Sequence, residues 1–562
     1  MILPHILDIV SVCAAKGIKK AIISPGSRSA ALTIAFEHHP DIEVIMVPDE
    51  RSAAFIALGL AQQSKIPSAL VCTSGSALLN YYPAVAEAYY QEIPLIIFSA
   101  DRPPEWIDQY DGQTVQQKEV FGKHVKRSFE LPTRPSTKDE SWHANRIINE
   151  AVNESMDLPH GPVHINVPIR EPFYPADHET IAFKEPRIIE RPTQITSVSD
   201  SSLTELAKIW NTSEKPIVVI GHQDPDSLLS TALSEFRAKT GVIVINDIIG
   251  NQHHIDGAIM HHDAFLNASN PDIQALKPDL IISLGKSLIS KNLKLFLRDN
   301  PAKHHWHIQD STRLNDGLQY LTHQITSSPT EFFKRLGKAE VKTSNHNYSK
   351  AWKTQDQKAI HWVVQHTAGS NTEFAGYGQA MKRLPDNSQL QLANSMAVRY
   401  ANIIGLHNDR AIEVYANRGT SGIDGSNATA VGAAISSSRI VTLLTGDMAF
   451  LYDRNAFWHK KSIKNLRVVV FNNSGGGIFR MIPGPTDQPA YESIFETKHD
   501  LNAKATAEEF GMDYQAAFEI DSFKKALDNF FEASSQAKVL EYFTDAQNNT
   551  ESFKAFKKLF TA

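Results

Sequence analysis

Residues 440–479 read IVTLLTGDMAFLYDRNAFWHKKSIKNLRVVVFNNSGGGIF, and the chemistry of that stretch lies at its two ends. Ile440 to Leu444 is short, apolar and β-branched and is closed by Gly446, the pattern of a buried strand whose C-terminal end presents Asp447. From Ala449 to Lys461, Phe450, Leu451, Ala456 and Phe457 alternate irregularly with polar residues, which predicts a helix. Leu466 to Phe471 (LRVVVF) predicts a second buried strand. The unit is therefore βαβ, with a right-handed crossover and parallel strands, so Asp447 and Asn473 emerge on one edge of one sheet. That edge is where α/β sheets bind ligands. A carboxylate oxygen and an amide oxygen are hard donors suited to a Mg²⁺-like ion, which takes its other ligands from water and phosphate. Gly475, Gly476 and Gly477 allow close approach of the backbone. Asn-Asn followed by glycines also fits a surface turn after a core strand; the Gly446-Asp447 pair at the preceding strand end favours a site.

The remainder of the chain sets the frame. A length of 562 residues with 42% hydrophobic composition suggests about three or four domains. A net charge of −6 argues against bulk nucleic-acid binding. The opening MILPHILDIVSVCAAKGIKK reads as an amphipathic helix interrupted by Pro4, His5 and Asp8, not as a signal peptide, and no apolar run approaches a membrane span. Cys13 and Cys72 offer neither a disulfide framework nor a metal quartet, which fits a reducing cytoplasm.

Two polar stretches, 185–202 (EPRIIERPTQITSVSDSS) and 337–350 (GKAEVKTSNHNYSK), read as linkers and divide the chain into 1–184, 185–340 and 341–562. Each part alternates short apolar runs (KKAIISP, PLIIFSA, KPIVVIG, GVIVIND, DLIISLG) with longer helical stretches, the pattern of α/β domains with parallel sheets flanked by helices. No repeat of 20 to 50 residues is evident. VVIGHQDPDS follows a strand in the middle part but is not GxGxxG, so its nucleotide-binding signal is weak.

Gly446-Asp447 followed, after 473 − 447 = 26 positions, by the second Asn of Asn472-Asn473 resembles the motif that holds Mg²⁺ and the diphosphate in thiamine-diphosphate enzymes. Met448 stands where a Gly is usual. The resemblance extends to a three-domain, decarboxylase-like architecture with cofactor-binding outer domains: pyrimidine-binding (1–184), central (185–340) and diphosphate-binding (341–562). Such chemistry needs a carboxyl group hydrogen-bonded to the aminopyrimidine. Glu50, in Asp49-Glu50-Arg51 between a strand and an alanine-rich helix, is the position that matches, although by itself it is also an ordinary helix N-terminal charge. Ile423, in NRGTSGIDG (417–425), is the candidate for the apolar wedge that bends the cofactor; a lone Ile is otherwise core. In that architecture the two cofactor-binding domains around one cofactor come from different subunits, which implies a homodimer or a dimer of dimers.

Arginines beside Gly and Ser at element ends add a second theme. SPGSRSAAL (24–32) offers Ser27 and Arg28 to an anion, SADRPPE (99–105) offers Arg102, ANSMAVRY (393–400) spaces Ser395 and Arg399 by one helical turn, and NRG supplies Arg418. Each alone fits a solvated ion pair; together, in a net-negative chain, they suggest a positive cleft that reads carboxylates. SPGSRSAALT, DERSAAFIALGLA, CTSGSALLNYYPAVAEA, SADRPPE, YANRGTSGIDG and GDMAFLYD with NNSGGGIF look like the blocks of the 2-succinyl-5-enolpyruvyl-6-hydroxy-3-cyclohexene-1-carboxylate synthase family of menaquinone biosynthesis. LGKSLISKNL, with Lys291, is a weaker match.

The resemblance implies decarboxylation of 2-oxoglutarate and 1,4-addition of the resulting succinyl carbanion equivalent to isochorismate, with thiamine diphosphate and Mg²⁺ (or Mn²⁺) as cofactors. It implies that Asp447, Asn473 and the Gly475 carbonyl hold the metal and that Glu50, Ile423, Gly446, Gly476, Ile478 and Phe479 line the cofactor. Ser27, Arg28, Arg102, Gln113, Lys291, Ser395, Arg399 and Arg418 would meet substrate. Gly112 stands where the family often has Asn or another residue, so no substrate amide contact is implied at that point. The other readings are an acetolactate-synthase-like carboligase, a non-catalytic binding protein of the same fold, and a zinc hydrolase on His253-His254 and His261-His262.

Overall fold

A computed structural model describes residues 4–176, 179–192, 196–266, 270–406 and 410–560. Three parallel sheets are flanked by helices. The first contains β1 (Lys20–Ile23), β2 (Glu43–Met46), β3 (Ser68–Cys72), β4 (Leu95–Asp101), β5 (Ser128–Glu130) and β6 (Pro162–Pro168) in the order β2-β1-β3-β4-β6-β5. The second contains β7 (Pro216–Ile220), β8 (Ile243–Asn246), β9 (Leu280–Leu284), β10 (His304–Gln309) and β11 (His323–Thr326) in the order β11-β10-β9-β7-β8. The third contains β12 (Ser388–Leu392), β13 (Ile412–Ala416), β14 (Val441–Gly446), β15 (Leu466–Asn472), β16 (Asp513–Ala517) and β17 (Lys538–Phe543) in the order β13-β12-β14-β15-β17-β16. Counted from its own first strand, the third sheet repeats the order of the first. β3, β4, β6 and β15 are buried along their whole length, which is why they read as continuous apolar runs instead of alternating ones.

The helix expected over 449–461 is shorter than its pattern suggested. An α-helix spans Asp447–Tyr452, a 3₁₀ turn follows at Arg454–Phe457, and the chain then runs without regular structure to Leu466. Asp453 is the cause: its side chain is fully buried and accepts from Ala428 N at 2.8 Å, capping the first turn of the helix Ser426–Ser436. The linker expected over 337–350 narrows in the same way to 339–345, because Asn345 caps a helix at His346–His366 whose buried face runs through Tyr348, Trp352, Ala359 and Val363.

The chain forms two compact units: Met1–Thr193 with Asn417–Ser438 and Ala449–Leu466, and Gln194–Ala416 with Arg439–Met448 and Arg467–Ala562. In the first unit the helix Glu50–Ser64 crosses the helix Ser426–Ser436 at backbone contact. A Cβ on Gly59 would stand 2.2 Å from Thr429 O, and one on Gly432 would stand 2.3 Å from Ile56 O. Gly→Ala inside a helix ordinarily gains about 0.5–1 kcal/mol. Here the added carbon meets backbone that cannot step aside, so Gly59→Ala and Gly432→Ala are each expected to destabilise the protein by roughly 1–3 kcal/mol. Urea midpoints check this, and a gain in stability would refute the crossing.

In the second unit the second and third sheets are tied side chain to backbone. Asn251 pairs with the edge strand β13 as a strand would, donating to Val414 O (2.9 Å) and accepting from Val414 N (2.8 Å). Asn402 accepts from Ile248 N (2.8 Å) and donates to the buried Asp247 (3.1 Å). The histidine pairs serve this junction. His253 faces Arg410 O at 3.3 Å, His261 lies 3.0 Å from Ile404 O and 3.3 Å from Asp356, and His262 bonds Asp247 at 3.0 Å. Among the described residues no three His, Cys, Asp or Glu side chains are grouped to hold a metal ion, and the rings on which a zinc-hydrolase reading would rest are bonded within this junction instead.

The weak nucleotide signal of VVIGHQDPDS has a structural answer. Its loop lies where β7 adjoins β9, the switch point at which open α/β sheets usually bind ligands. Gly221 N bonds Leu284 O (2.9 Å), His222 N bonds Ser287 O (2.9 Å) and Lys286 N bonds His222 O (2.8 Å). The two loops zip together, and a Cβ on Gly221 would stand 2.5 Å from Lys286 O. The crevice is filled by its own backbone. Among the described residues no helix is long and apolar enough to cross a membrane.

Candidate active site

β14 and β15 are neighbours in the third sheet, and the two ends of the opening stretch meet beyond them. Gly475 N donates to Asp447 Oδ2 at 3.0 Å, while Met448 N donates to Oδ1 at 2.7 Å. Asp447 is only 4% exposed. Asn473 donates through Nδ2 to Glu373 Oε1 at 2.7 Å, and its own Oδ1 is buried without a hydrogen-bond partner. An amide held by its nitrogen with its oxygen free, beside a carboxylate, is an arrangement suited to a hard cation such as Mg²⁺; the Gly475 carbonyl accepts from Gly477 N at 3.0 Å. Burial, with the charge of Asp447 second, pushes the Glu373 carboxyl up to about 8. His499 lies 3.5 Å from Asp447, and that contact holds its imidazole above the ordinary value.

The glycine loop is backed by the segment that follows it. Gly476 N bonds Glu496 O at 2.6 Å, and a Cβ on Gly475 would stand 2.7 Å from the same oxygen. Arg480 grips the buried Glu496 carboxylate with two bonds of 2.5 and 2.7 Å, which closes residues 480–496 into a strap. Ile478 and Phe479 are half-buried at its start, and Phe479 packs edge-on to Phe495.

Glu50 belongs to the first unit. It opens the helix Glu50–Ser64, half-buried, behind an Asp49 cap that accepts from Ser52 N. Asn455 holds Asp49 at 2.8 Å, and Arg51 donates to Asp424 O at 2.7 Å. Ala53, Ala54 and Ala57 are fully buried behind Glu50, the close packing expected of small residues. Burial first, and the charge of Glu50 after it, raise the Cys72 thiol; burial and then Cys72, with a smaller contribution from Glu50, raise the Tyr81 phenol. Ile423 is half-buried in the loop that precedes the helix Ser426–Ser436.

Three of the five candidate substrate cations share one feature. Arg28 donates to Ile169 O (3.0 Å) over the Phe173 ring, Arg102 to Gly112 O (2.9 Å), and Arg399 to Ser395 O. A carbonyl orients a guanidinium without cancelling its charge, leaving the rest of the fork for an anion. Arg102 also lies 3.2 Å from Asp111. Ser395 sits in the left-handed region (φ 67), a strained position for a side-chain-bearing residue. Lys291 begins the helix Lys291–Asp299, whose end is pinned by Asp263 through Asn292 N (3.3 Å) and Ser290. Ser27 and Gln113 are exposed. A Cβ at Gly112 would meet nothing within 4 Å, so a larger residue would fit there.

Beneath Arg102 lies a buried polar network. His164 sits between Ser99 Oγ (2.7 Å) and Ser128 Oγ (3.0 Å), and Asn166 bonds Ser99, Gln117 and Asp101. Burial pushes the His164 imidazole down from 6.5 to about 3. Between those two values an unfolded chain carries a proton on His164 that the native protein refuses, so stability is full above pH 6.5 and is lost as pH falls. His164→Gln is expected to flatten the dependence of the urea midpoint on pH between 6.5 and 4 by up to one proton. Asp101, raised by burial to about 6, has the opposite sign and is unchanged in that comparison.

Glu373, Glu496, His499 and Asp453 were not anticipated. Glu373 alone had a visible signal, an acidic residue after Thr372 at a helix start, and that pattern reads as capping.

Residues 8–124 match the thiamine pyrophosphate enzyme N-terminal TPP binding domain, and residues 190–392 match the middle domain of thiamine pyrophosphate enzymes. The crystal structure of benzoylformate decarboxylase from Polynucleobacter necessarius has the same fold, with a TM-score of 0.71 and 16% identity over 96% of this chain and 98% of that one. The chain is thus a thiamine-diphosphate-dependent enzyme. It is 43% identical to the 2-succinyl-5-enolpyruvyl-6-hydroxy-3-cyclohexene-1-carboxylate synthase of Cytophaga hutchinsonii over 98% of both chains. It is 40% identical to that of Flavobacterium johnsoniae over 100% of both. The chain belongs to this synthase family.

Proposed function

We propose that the protein decarboxylates 2-oxoglutarate and adds the resulting succinyl carbanion equivalent in a 1,4 sense to isochorismate, giving 2-succinyl-5-enolpyruvyl-6-hydroxy-3-cyclohexene-1-carboxylate and CO₂ for menaquinone biosynthesis. The observation that carries this reading is the near-full-length relationship to the synthases. The meeting of Asp447, Gly475 and an Asn473 with a free oxygen supports it.

Residues 1–184 would take the pyrimidine and 341–562 the diphosphate, with 185–340 bracing the latter. Thiamine diphosphate, when bound, supplies the electron sink for decarboxylation. Asp447, the Asn473 oxygen and the Gly475 carbonyl would hold Mg²⁺ or Mn²⁺, with Gly446 and Gly476 leaving room for the diphosphate. Glu50 would hold a proton at the pyrimidine ring nitrogen, and Ile423 would fill the space beneath the bend. Both substrates are dicarboxylates, which accounts for Arg28, Arg102, Arg399, Arg418 and Lys291, with Ser27, Gln113 and Ser395 as neutral donors. Ile478 and Phe479 would exclude water. The proposed active form is a homodimer or dimer of dimers in which Glu50 of one chain serves a cofactor held by the metal loop of another.

The test is turnover with thiamine diphosphate, Mg²⁺, 2-oxoglutarate and isochorismate, following CO₂ and product. Reaction with this pair, and none with pyruvate alone, is expected. Preferential use of pyruvate would transfer the chain to the acetolactate-synthase-like reading, and no cofactor-dependent turnover would favour a binding protein.

A further inference from the structure

Glu87 lies on the helix Tyr82–Gln91 of the first unit and is 0% exposed. None of the roles above uses it. An ionised carboxylate withdrawn from water is tolerated only with a full set of hydrogen bonds, and Glu87 has one. Oε1 accepts from Gly419 N (2.6 Å) and Gln91 Nε2 (2.6 Å). Oε2 accepts from Thr420 N (2.6 Å), Thr420 Oγ1 (2.6 Å) and Ser421 N (3.3 Å).

Three successive main-chain N–H groups converging on one anion form a nest, a shape the backbone holds when an anion fills it. Ser421 takes the left-handed conformation (φ 64) at its far end. Gly419 is forced by the approach, since a Cβ there would stand 2.6 Å from Glu87 O and 3.0 Å from Tyr90 Cβ. The loop is anchored at its root as well: Gln91 donates to Asn417 Oδ1 (3.3 Å), and Asn417 donates to Thr429 Oγ1 (2.9 Å). The shape of 417–421 is thus dictated by a side chain 332 positions earlier.

Arg418 immediately precedes the nest and Ile423 follows it by two residues. We propose that Glu87 is the positioning residue of this loop, presetting Arg418 for a substrate carboxylate and Ile423 for the cofactor. The inference rests on the roles given to those two residues under the proposed function. Glutamine cannot replace Glu87, because its amide would point N–H groups at the N–H donors of the nest.

The test compares Glu87→Gln with wild type by amide hydrogen exchange, by thiamine diphosphate titration with Mg²⁺ followed by tryptophan fluorescence, and by steady-state kinetics. Gly419→Ala, which displaces the loop while keeping the carboxylate, is run beside it and decides the matter if Glu87→Gln does not fold. Exchange in 418–422 is expected to rise at least about tenfold with the helix Glu50–Ser64 still protected. The cofactor Kd and the KM for 2-oxoglutarate should both rise by about tenfold or more. Unchanged exchange in 418–422 overturns the proposal, as does a loosened loop with unchanged Kd and KM. Uniformly faster exchange across the whole first unit also overturns it, since that marks a residue needed for folding alone. Exchange and cofactor affinity are read without turnover, so a wild type inactive on 2-oxoglutarate and isochorismate would count against the proposed reaction and leave the loop result standing.

Discussion

Glu50→Gln should fold, bind thiamine diphosphate within a few-fold of wild type, and lose about 10²- to 10⁴-fold of kcat, the range that a positioned acid–base group contributes. The fold should survive because the cap of the helix is Asp49, which accepts from Ser52 N and is held by Asn455. Removing the charge from the first turn costs roughly 0.3–1 kcal/mol. Activity should not survive, because an amide of the same shape cannot exchange a proton with a ring nitrogen. The measurement is single-turnover CO₂ release at saturating cofactor, with a thermal melt alongside. Turnover at the wild-type rate would remove Glu50 from its proposed role.

Asp447→Asn should act at an earlier stage. Both oxygens of Asp447 accept from the main chain, at Met448 N and Gly475 N. An asparagine can satisfy one of those donors but turns its own NH₂ group against the other, so the glycine loop loses its tether as the donor set loses its only carboxylate. Changing a residue that merely supports a metal ligand costs 10- to 100-fold in affinity. The apparent Kd of thiamine diphosphate in Mg²⁺ is therefore expected to rise about 100-fold or more, with little change in the metal-free titration. A variant whose cofactor affinity kept its wild-type response to Mg²⁺ would place the metal elsewhere.

What could be read from the chain and what could not divide along physical lines. β14 and β15 were legible because a parallel strand buried on both faces leaves an uninterrupted apolar run, and the meeting of Asp447 with the glycine loop followed from crossover geometry. The same patterns misjudged the helix after Met448, since the residue that ends it, Asp453, has its partner at Ala428 on a different element. Glu373 is legible only as an acid at a helix start for a similar reason: its partner Asn473 is 100 positions away. Pattern reading sees neighbours in sequence, and a buried carboxylate declares itself only through neighbours in space. The shared strand order of the first and third sheets left no repeat in the residues, because strand order is set by how connections cross and not by which apolar side chains fill the strands.

The crossing of the helices Glu50–Ser64 and Ser426–Ser436 has a consequence for the order in which the protein is made. The first stretch of the first unit ends at Thr193, and the helix that packs against Gly59 begins 426 − 193 = 233 residues later. At about 5–20 residues per second that is roughly 12–50 s of translation. Throughout that interval the face of Glu50–Ser64 that carries Ile56, Gly59 and Leu60 is without its partner helix, on a nascent chain whose first sheet can already form. That face carries Phe55 and Ile56 beside Gly59, so during synthesis it is an apolar surface still waiting for its cover.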